Sequence, residues 1–156
     1  MKTSLKKILI MGLNDSGKTT LAKELAKQLK AVHWESDEVR ANLNKDLDFS
    51  IESRIEQARR MRFLAETVNK AGYIAIMDFI APLEEARQEL GEDTFIVWMN
   101  TVKPSENRYE DTGKIFVSPS FYDMVFTEWK NPVDMATEVI KELNYTFIED
   151  RKNYQI

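Results

Sequence analysis

Eight consecutive residues near the start of the chain constrain its fold and chemistry more than any other feature. The run Gly12-Leu13-Asn14-Asp15-Ser16-Gly17-Lys18-Thr19 fits the pattern G-x-x-x-x-G-K-[ST] and lies between an apolar segment and a helical stripe. Glycines let such a loop curl so that its N–H groups point at phosphate oxygens, and the following helix adds its positive end. Lys18 is then expected to reach the β- and γ-phosphates of a nucleotide, and Thr19 to hold Mg²⁺.

The predicted phosphate-binding residues are contiguous: Gly12, Asn14, Asp15, Ser16, Gly17, Lys18, Thr19 and Thr20. Asp15 is unusual there, because a carboxylate repels phosphate. Aspartate tolerates a left-handed backbone, so we expect its side chain to point outward. The alternative is a glycine-rich turn that binds no ligand.

Apolar runs alternate with helical stripes along most of the chain. The predicted strands are 5–11, 31–35, 73–77, 94–99 and 123–127, and the predicted helices are 18–30, 36–43, 50–70, 82–90 and 133–143. This alternation predicts an α/β protein with a mostly parallel five-stranded sheet and helices on both faces, in one domain over 1–156. Ligands of such sheets bind at the carboxyl ends of the strands. The polar segment 100–122 is predicted to be a long, lid-like loop, and the tail from Asn144 is either an edge strand or a loose end.

Composition excludes several classes of function. The net charge of −4 does not favour nucleic acid, and without cysteine there is no disulfide or thiolate chemistry. The single His33 cannot anchor a histidine-based metal site, and no apolar run is long enough to span a membrane. The opening MKTSLKKILIMG has too short an apolar run for a signal peptide. We expect a soluble cytoplasmic protein that binds a small-molecule nucleotide; a homodimer is one arrangement that the sequence allows.

The segment WESDEVRANLNKDLDFS, residues 34–50, has a density of acids and bases that is unusual for a loop. Asp37 follows the second predicted strand, so it should lie at the same edge of the sheet as the phosphate loop. A carboxylate there can take the proton from an attacking hydroxyl or orient that hydroxyl. The alternative is that Asp37 only caps a short helix.

Arg40 and Arg54 flank Phe49 in this part of the sequence. A guanidinium group suits sulfate or phosphate oxygens, and an aromatic ring can stack on a base. The residues alone leave the alternatives open that both arginines are surface residues and that Phe49 belongs to the core.

Three runs together resemble the adenylylsulfate kinase family: GLNDSGKTTLAKELAKQL, ESDEVRANLNKDLDFSIESRIEQARR and AGYIAIMDFIAP. The family patterns are G-L-x-G-S-G-K-[ST]-T-L-A, D-G-D-x-V-R-x-x-L-N-x-D-L-G-F-S-x-x-D-R-x-E-N-x-R-R and F-I-S-P, and the similarity spans residues 8–85. The resemblance implies a P-loop kinase fold. It also implies transfer of the γ-phosphoryl group of ATP, with Mg²⁺, to the 3′-hydroxyl of adenosine 5′-phosphosulfate.

The resemblance also implies roles for individual residues. The hydroxyl-activating aspartate of the family falls on Asp37, with Lys18 as the second catalytic residue, and the aromatic residue that stacks on the substrate adenine falls on Phe49. The predicted acceptor-binding residues are Asp37, Arg40, Asn44, Phe49, Arg54, Gln57, Phe79, Ile80 and Ala81. Asp78 ends an apolar strand and is predicted to hold Mg²⁺ with Thr19, directly or through water; the alternative is a solvated carboxylate.

The chain departs from the family pattern mainly on the acceptor side. Gln57 and Ala81 replace the family's Asn and Ser, and Asp78 stands where the family usually has a small residue. The basic lid motif has no clear copy in VKPSENRYEDTGKIFVSPSFYD, where Arg108 is the predicted nucleotide-binding arginine. These changes leave two alternatives: a related kinase for another acceptor, such as a cytidine diphosphoramidate, or a nucleotide-binding module without catalysis. A switch GTPase is excluded because Asn44-Lys45-Asp46 has the wrong spacing for N-K-x-D and comes too early.

Overall fold

A computed structural model describes residues 7–103, 105 and 110–153, without the side chains of 110–111 and 145–153. The strands are β1 (Lys7–Met11), β2 (Val32–Glu35), β3 (Ala75–Asp78), β4 (Thr94–Met99) and β5 (Met124–Phe126). The helices are α1 (Lys18–Leu29), α2 (Ser36–Asn42), α3 (Ile51–Lys70), α4 (Glu84–Glu89), α5 (Glu110–Ile115) and α6 (Pro132–Asn153).

The five strands form one sheet in the order β2-β3-β1-β4-β5, and all four pairings are parallel. β1 lies at the centre, paired with β3 on one side and β4 on the other. Its five residues are all buried, as expected for a strand that is covered on both faces. The predicted α/β class and the mostly parallel five-stranded sheet are confirmed.

Two apolar cores cover the two faces of the sheet. Ile8 and Ile10 of β1 face the core that α1 and α6 complete, while Leu9 and Met11 face the core of α2, α3 and α4. This alternation follows from the two-residue period of a strand. The result is the predicted three-layer arrangement; the extent of a single domain over 1–156 stays a prediction.

Two predictions about the second half of the chain are wrong. The segment 100–122 contains a short helix, α5; its sequence EDTGKI is polar with a central glycine, so it shows no apolar stripe. The described part of the tail, residues 144–153, is neither an edge strand nor a loose end, because α6 continues to Asn153. Pro132 suits the first position of a helix, and no glycine or later proline interrupts the run to Asn153.

The sheet order brings three chain segments to one edge. The loop after β1, the start of α2 after β2 and the turn after β3 all follow the carboxyl ends of adjacent strands. Open parallel sheets bind their ligands at such an edge. No helix in the described part of the chain is both long enough and apolar enough to cross a membrane.

Candidate active site

The loop between β1 and α1 has the curled backbone that the glycine pattern predicts. Gly12 has φ +149°, and a Cβ there would lie 2.5 Å from the carbonyl oxygen of Met99. Gly17 has φ +95°, and a Cβ there would overlap the indole ring of Trp129. Both positions therefore require glycine. Asp15 adopts the left-handed backbone, with φ +63°, and is exposed; it nevertheless lines the ligand cavity, and its charge acts on Lys18.

Two side-chain polar atoms of this loop have no hydrogen-bond partner among the described residues. The buried hydroxyl of Ser16 and the side-chain oxygen of Asn14 make no hydrogen bond in the described part of the chain. Buried polar atoms are usually paired. Because α1 begins at Lys18 directly behind the loop, these atoms and the helix N-terminus fit the phosphates of a nucleotide.

Lys18 is the main buried cation of the loop. Its Nζ donates to the carbonyl oxygen of Leu13 at 2.8 Å. Burial lowers the pKa of Lys18, and the negative charges of Asp78 and Asp37 oppose that shift. The ammonium group is therefore within the field of Asp78, which ends β3, and of Asp37, which follows β2.

One cavity of about 240 Å³ joins the loop to the other two segments. The residues lining it are Asn14, Asp15, Lys18, Thr19, Glu35, Ser36, Asp37, Arg40, Phe49, Arg54, Gln57, Asp78, Phe79, Ile80, Ala81, Pro82 and Ala86. Most of the predicted site residues thus face a common space. Gly12, Ser16 and Gly17 belong to the same loop but do not line the cavity, and Thr20 is exposed outside it. Arg108 lies outside the described residues.

Asp37 lies in the first turn of α2 and lines the cavity. The N-terminal capping position is occupied by Glu35, and no side chain caps this helix by a hydrogen bond. The helix-cap alternative for Asp37 therefore finds no support. Its carboxylate makes no hydrogen bond to another described residue, so it is available to a ligand.

Two guanidinium groups lie close to the ring of Phe49. The Cζ atoms of Arg40 and Arg54 are 4.6 and 5.4 Å from the centre of its ring. Arg40 donates to the carbonyl oxygen of Asp48 at 2.9 Å, and Nε of Arg54 to that of Phe49 at 3.0 Å. The ring is 68% exposed, so the alternative that Phe49 belongs to the core is wrong.

Neither arginine forms an ion pair within the described part of the chain. Burial lowers the pKa of both side chains, and the charge of Arg54 adds to the effect on Arg40, although the charges of Asp37 and Asp48 act to raise the pKa of Arg40. Two neighbouring guanidinium groups that repel each other and pair only with carbonyl oxygens favour an anionic ligand. The exposed ring beside them offers a surface for a flat base.

The side chains of Asn44 and Gln57 form hydrogen bonds with other residues of the protein. Asn44 donates to Oε1 of Gln57 at 2.7 Å, and Nε2 of Gln57 donates to the carbonyl oxygen and Oγ of Ser36 at 3.2 and 3.1 Å. Arg60 donates to Oδ1 of Asn44 at 3.1 Å. Gln57 still lines the cavity, whereas Asn44 does not reach it. This network fixes α2 against α3 and thereby positions Asp37; substrate contacts by the two amides stay a prediction.

The turn after β3 forms the third wall. Ala81 is buried and has φ +47°, a conformation that few residues other than glycine adopt. Its carbonyl oxygen accepts a hydrogen bond at 2.8 Å from Nε of Arg87, which also donates to the carbonyl oxygen of Val117. The N–H of Val117 donates to the carbonyl oxygen of Pro82 at 2.8 Å. Arg87 therefore holds the segment after α5 against this wall.

A histidine–carboxylate pair lies behind the cavity. Nε2 of His33 is 3.1 Å from Oδ2 of Asp78, and the side chain of Asp78 is 2% exposed. Glu35 is close by, since burial and then the charge of Asp78 raise its pKa. Asp78 is thus not the solvated strand-end carboxylate of the alternative interpretation. His33 and Glu35 were not predicted as site residues; their spacing of two along β2 was the available signal, because it places both on one face.

The residues present fit a divalent metal bound to phosphates. The hydroxyl of Thr19 and the carboxylate of Asp78 line the same cavity as Lys18, and oxygen donors of this kind suit Mg²⁺. The described residues contain no group of three or more histidine, cysteine or acidic side chains arranged to hold a metal alone. That agrees with a metal held mostly by substrate phosphates and water.

The parallel sheet, the glycine loop and the cavity at its edge define a nucleotide-binding protein with the fold of P-loop kinases. A family model described as adenylylsulphate kinase matches residues 5–120. The chain belongs to the adenylylsulphate kinase family.

Individual relatives agree with this assignment. The adenylyl-sulfate kinase of Pseudomonas entomophila is 39% identical over 116 residues, which are 68% of this chain and 56% of the relative. That of Oceanobacillus iheyensis is 39% identical over 94 residues, 54% of this chain and 47% of the relative. The chain therefore spans about half the length of these relatives, and 15% of the bifunctional enzyme CysN/CysC of Rhodopirellula baltica.

The fold is that of a solved kinase structure. The Mycobacterium tuberculosis APS kinase CysC, in complex with AMPPNP and APS, superimposes with a TM-score of 0.77. The match covers 89% of this chain and 97% of that chain at 24% identity. At 24% sequence identity, this structural similarity shows that the two proteins share a fold.

Proposed function

We propose that this protein transfers the γ-phosphoryl group of ATP to the 3′-hydroxyl of adenosine 5′-phosphosulfate, giving 3′-phosphoadenosine 5′-phosphosulfate and ADP. The observation that carries the proposal is the single cavity that Lys18 and Thr19 share with Asp37, Arg40, Phe49 and Arg54. A donor site and an acceptor site within one small space are what direct transfer between two bound substrates requires. The family and its relatives support this acceptor.

The donor half of the mechanism rests on the glycine loop. Its N–H groups bind the phosphate oxygens, and Lys18 stabilises the charge that spreads over the γ-phosphoryl oxygens during transfer. Thr19 and Asp78 would hold Mg²⁺, which neutralises negative charge on the β- and γ-phosphates. Arg108 stays a prediction for the nucleotide.

The acceptor half rests on the segment from Asp37 to Arg54. Phe49 stacks on the adenine, and Arg40 and Arg54 bind the anionic phosphosulfate end. Asp37 orients the 3′-hydroxyl and accepts its proton as the oxygen bonds to the γ-phosphorus and ADP leaves. Phe79, Ile80 and Ala81 close the third side. A cytoplasmic location and a homodimer stay predictions.

Incubation of the full chain with Mg-ATP and adenosine 5′-phosphosulfate tests this acceptor directly. We expect ADP and the 3′-phosphorylated product to form in equal amounts, and ADP to stay at background without the acceptor. Turnover of a cytidine diphosphoramidate alone would replace the proposed acceptor. ATP binding without transfer to either compound would identify a non-catalytic module.

Phe49→Ala is expected to raise the KM for the acceptor about tenfold with little change in kcat, since stacking of a base on an aromatic ring contributes about 1–3 kcal/mol. Initial rates at saturating ATP measure the effect. Phe63→Ala is the matched control, because Phe63 is similarly exposed, at 62%, but lies on α3 outside the cavity. An unchanged KM in Phe49→Ala would remove the stacking role.

A further inference from the structure

The pair formed by His33 and Asp78 connects the interior of the sheet to the cavity. His33 lies on β2, opposite Ile76, while Asp78 ends the neighbouring strand β3, opposite Glu35. The side chain of His33 is 14% exposed and that of Asp78 is 2% exposed. His33 does not line the cavity, but Asp78 does.

The two oxygens of the Asp78 carboxylate have different surroundings. Oδ2 lies 3.1 Å from Nε2 of His33; since an ionised carboxylate only accepts, Nε2 donates in this contact when the ring carries its proton on that nitrogen. Oδ1 makes no hydrogen bond within the described part of the chain. The contact at Oδ2 therefore fixes the orientation of this buried carboxylate. The second oxygen, Oδ1, is left to contact a ligand in the cavity.

Asp78 is placed to contact a metal ion that is bound to the phosphates of a nucleotide. Asp78 lines the same cavity as Thr19 and Lys18, and its charge is the largest one opposing the effect of burial on the pKa of Lys18. Carboxylates that bind metals are commonly hydrogen-bonded by a second residue, and loss of that residue typically lowers metal affinity about 10- to 100-fold.

We propose that His33 is a positioning residue for the divalent metal of the nucleotide: by holding Oδ2 of Asp78, it directs Oδ1 to the metal or to a water bound to it. This inference rests on the proposed function, since it assumes that a nucleotide occupies the glycine loop. It gives His33 a role in metal binding that is separate from packing and from the acceptor.

Binding of Mn²⁺ to the full chain in the presence of AMPPNP tests the role without turnover. The free Mn²⁺ signal in electron paramagnetic resonance gives the affinity. His33→Leu removes the hydrogen bond and is expected to weaken Mn²⁺ binding about 10- to 100-fold. His33→Gln should retain most of the affinity, because its Nε2 can take the place of the ring Nε2. Asp78→Asn should weaken binding at least as much as His33→Leu does, and the double variant no more than Asp78→Asn alone.

Two controls separate positioning from folding. Asp93→Asn also breaks a pair with a buried cation, since Asp93 lies 2.9 Å from Nζ of Lys7, but Asp93 does not line the cavity. It should lower the melting temperature and leave Mn²⁺ affinity unchanged. His33→Asn keeps a polar side chain whose amide matches Nδ1 rather than Nε2; it should behave like His33→Leu and replaces it if His33→Leu does not fold.

Wild-type affinity for Mn²⁺ in folded His33→Leu or His33→Asn would overturn the proposal. Equal losses in His33→Gln and His33→Leu would do the same, because the hydrogen bond would then not be the cause. These outcomes are independent of the acceptor: the expected pattern can hold even if adenosine 5′-phosphosulfate is not turned over. Failure of the wild type to bind Mn²⁺ with AMPPNP would overturn both this inference and the proposed kinase function.

Discussion

Lys18→Ala is expected to lower kcat/KM for phosphoryl transfer about 100- to 1,000-fold, the usual cost of removing one preorganised group that stabilises transition-state charge. Lys18 is suited to this role because it is buried beside the glycine loop and, among the residues that the structure describes, donates only to the carbonyl oxygen of Leu13. Its ammonium group keeps further donors for the phosphates. Initial rates of ADP formation at varied ATP measure the change.

Lys23→Ala is the matched control for Lys18→Ala. Lys23 belongs to the same helix, α1, but is exposed and lies outside the cavity. Its removal should leave kcat/KM within about twofold of the wild type, since surface substitutions away from special features have small effects. Equal losses in the two variants would indicate general destabilisation, and wild-type rates in Lys18→Ala would remove the proposed donor site.

Asp37→Asn is expected to reduce kcat about 100- to 10,000-fold, the range that general base catalysis contributes. The amide is nearly the same size but cannot accept the proton of the 3′-hydroxyl. Binding of AMPPNP, measured by calorimetry, should stay close to that of the wild type, because Asp37 follows β2 rather than belonging to the glycine loop. Asp37→Ala should likewise reduce kcat while leaving the binding of AMPPNP close to that of the wild type.

Glu38→Gln is the matched control for Asp37→Asn. Glu38 is the next residue on α2, equally exposed, and does not line the cavity. Its substitution should leave kcat unchanged. A kcat for Asp37→Asn within tenfold of the wild type would contradict the assignment of the general base, and a large loss of AMPPNP affinity would place Asp37 in the nucleotide site instead.

The donor part of the site could be predicted because it is contiguous. The residues from Gly12 to Thr19 act together through backbone conformation, and the structure retains the positive φ at Gly12 and Gly17 that the pattern requires. Asp37 was predictable for a related reason: it follows a strand, and the carboxyl ends of parallel strands lie at one edge.

Interactions between distant segments could not be predicted in the same way. The pairing of His33 with Asp78 depends on β2 and β3 being neighbours, although α2 and α3 separate them in the sequence. The hydrogen bonds of Asn44 and Gln57 depend on how α3 packs against α2. The motif alone predicts substrate contacts for both amides, whereas their hydrogen bonds in the structure lie within the protein.

The amino-acid sequence by itself determined the glycine loop, the alternation of strands and helices, and the segment that carries Asp37, Arg40 and Phe49. These features follow from local backbone preference and apolar periodicity, which act over neighbouring residues. Tertiary structure decided which charges share the cavity, that Phe49 lies exposed beside two guanidinium groups, and that His33 contacts Asp78. Those outcomes depend on strand order and burial, because the strength and direction of a polar interaction are set by neighbours far away in the chain.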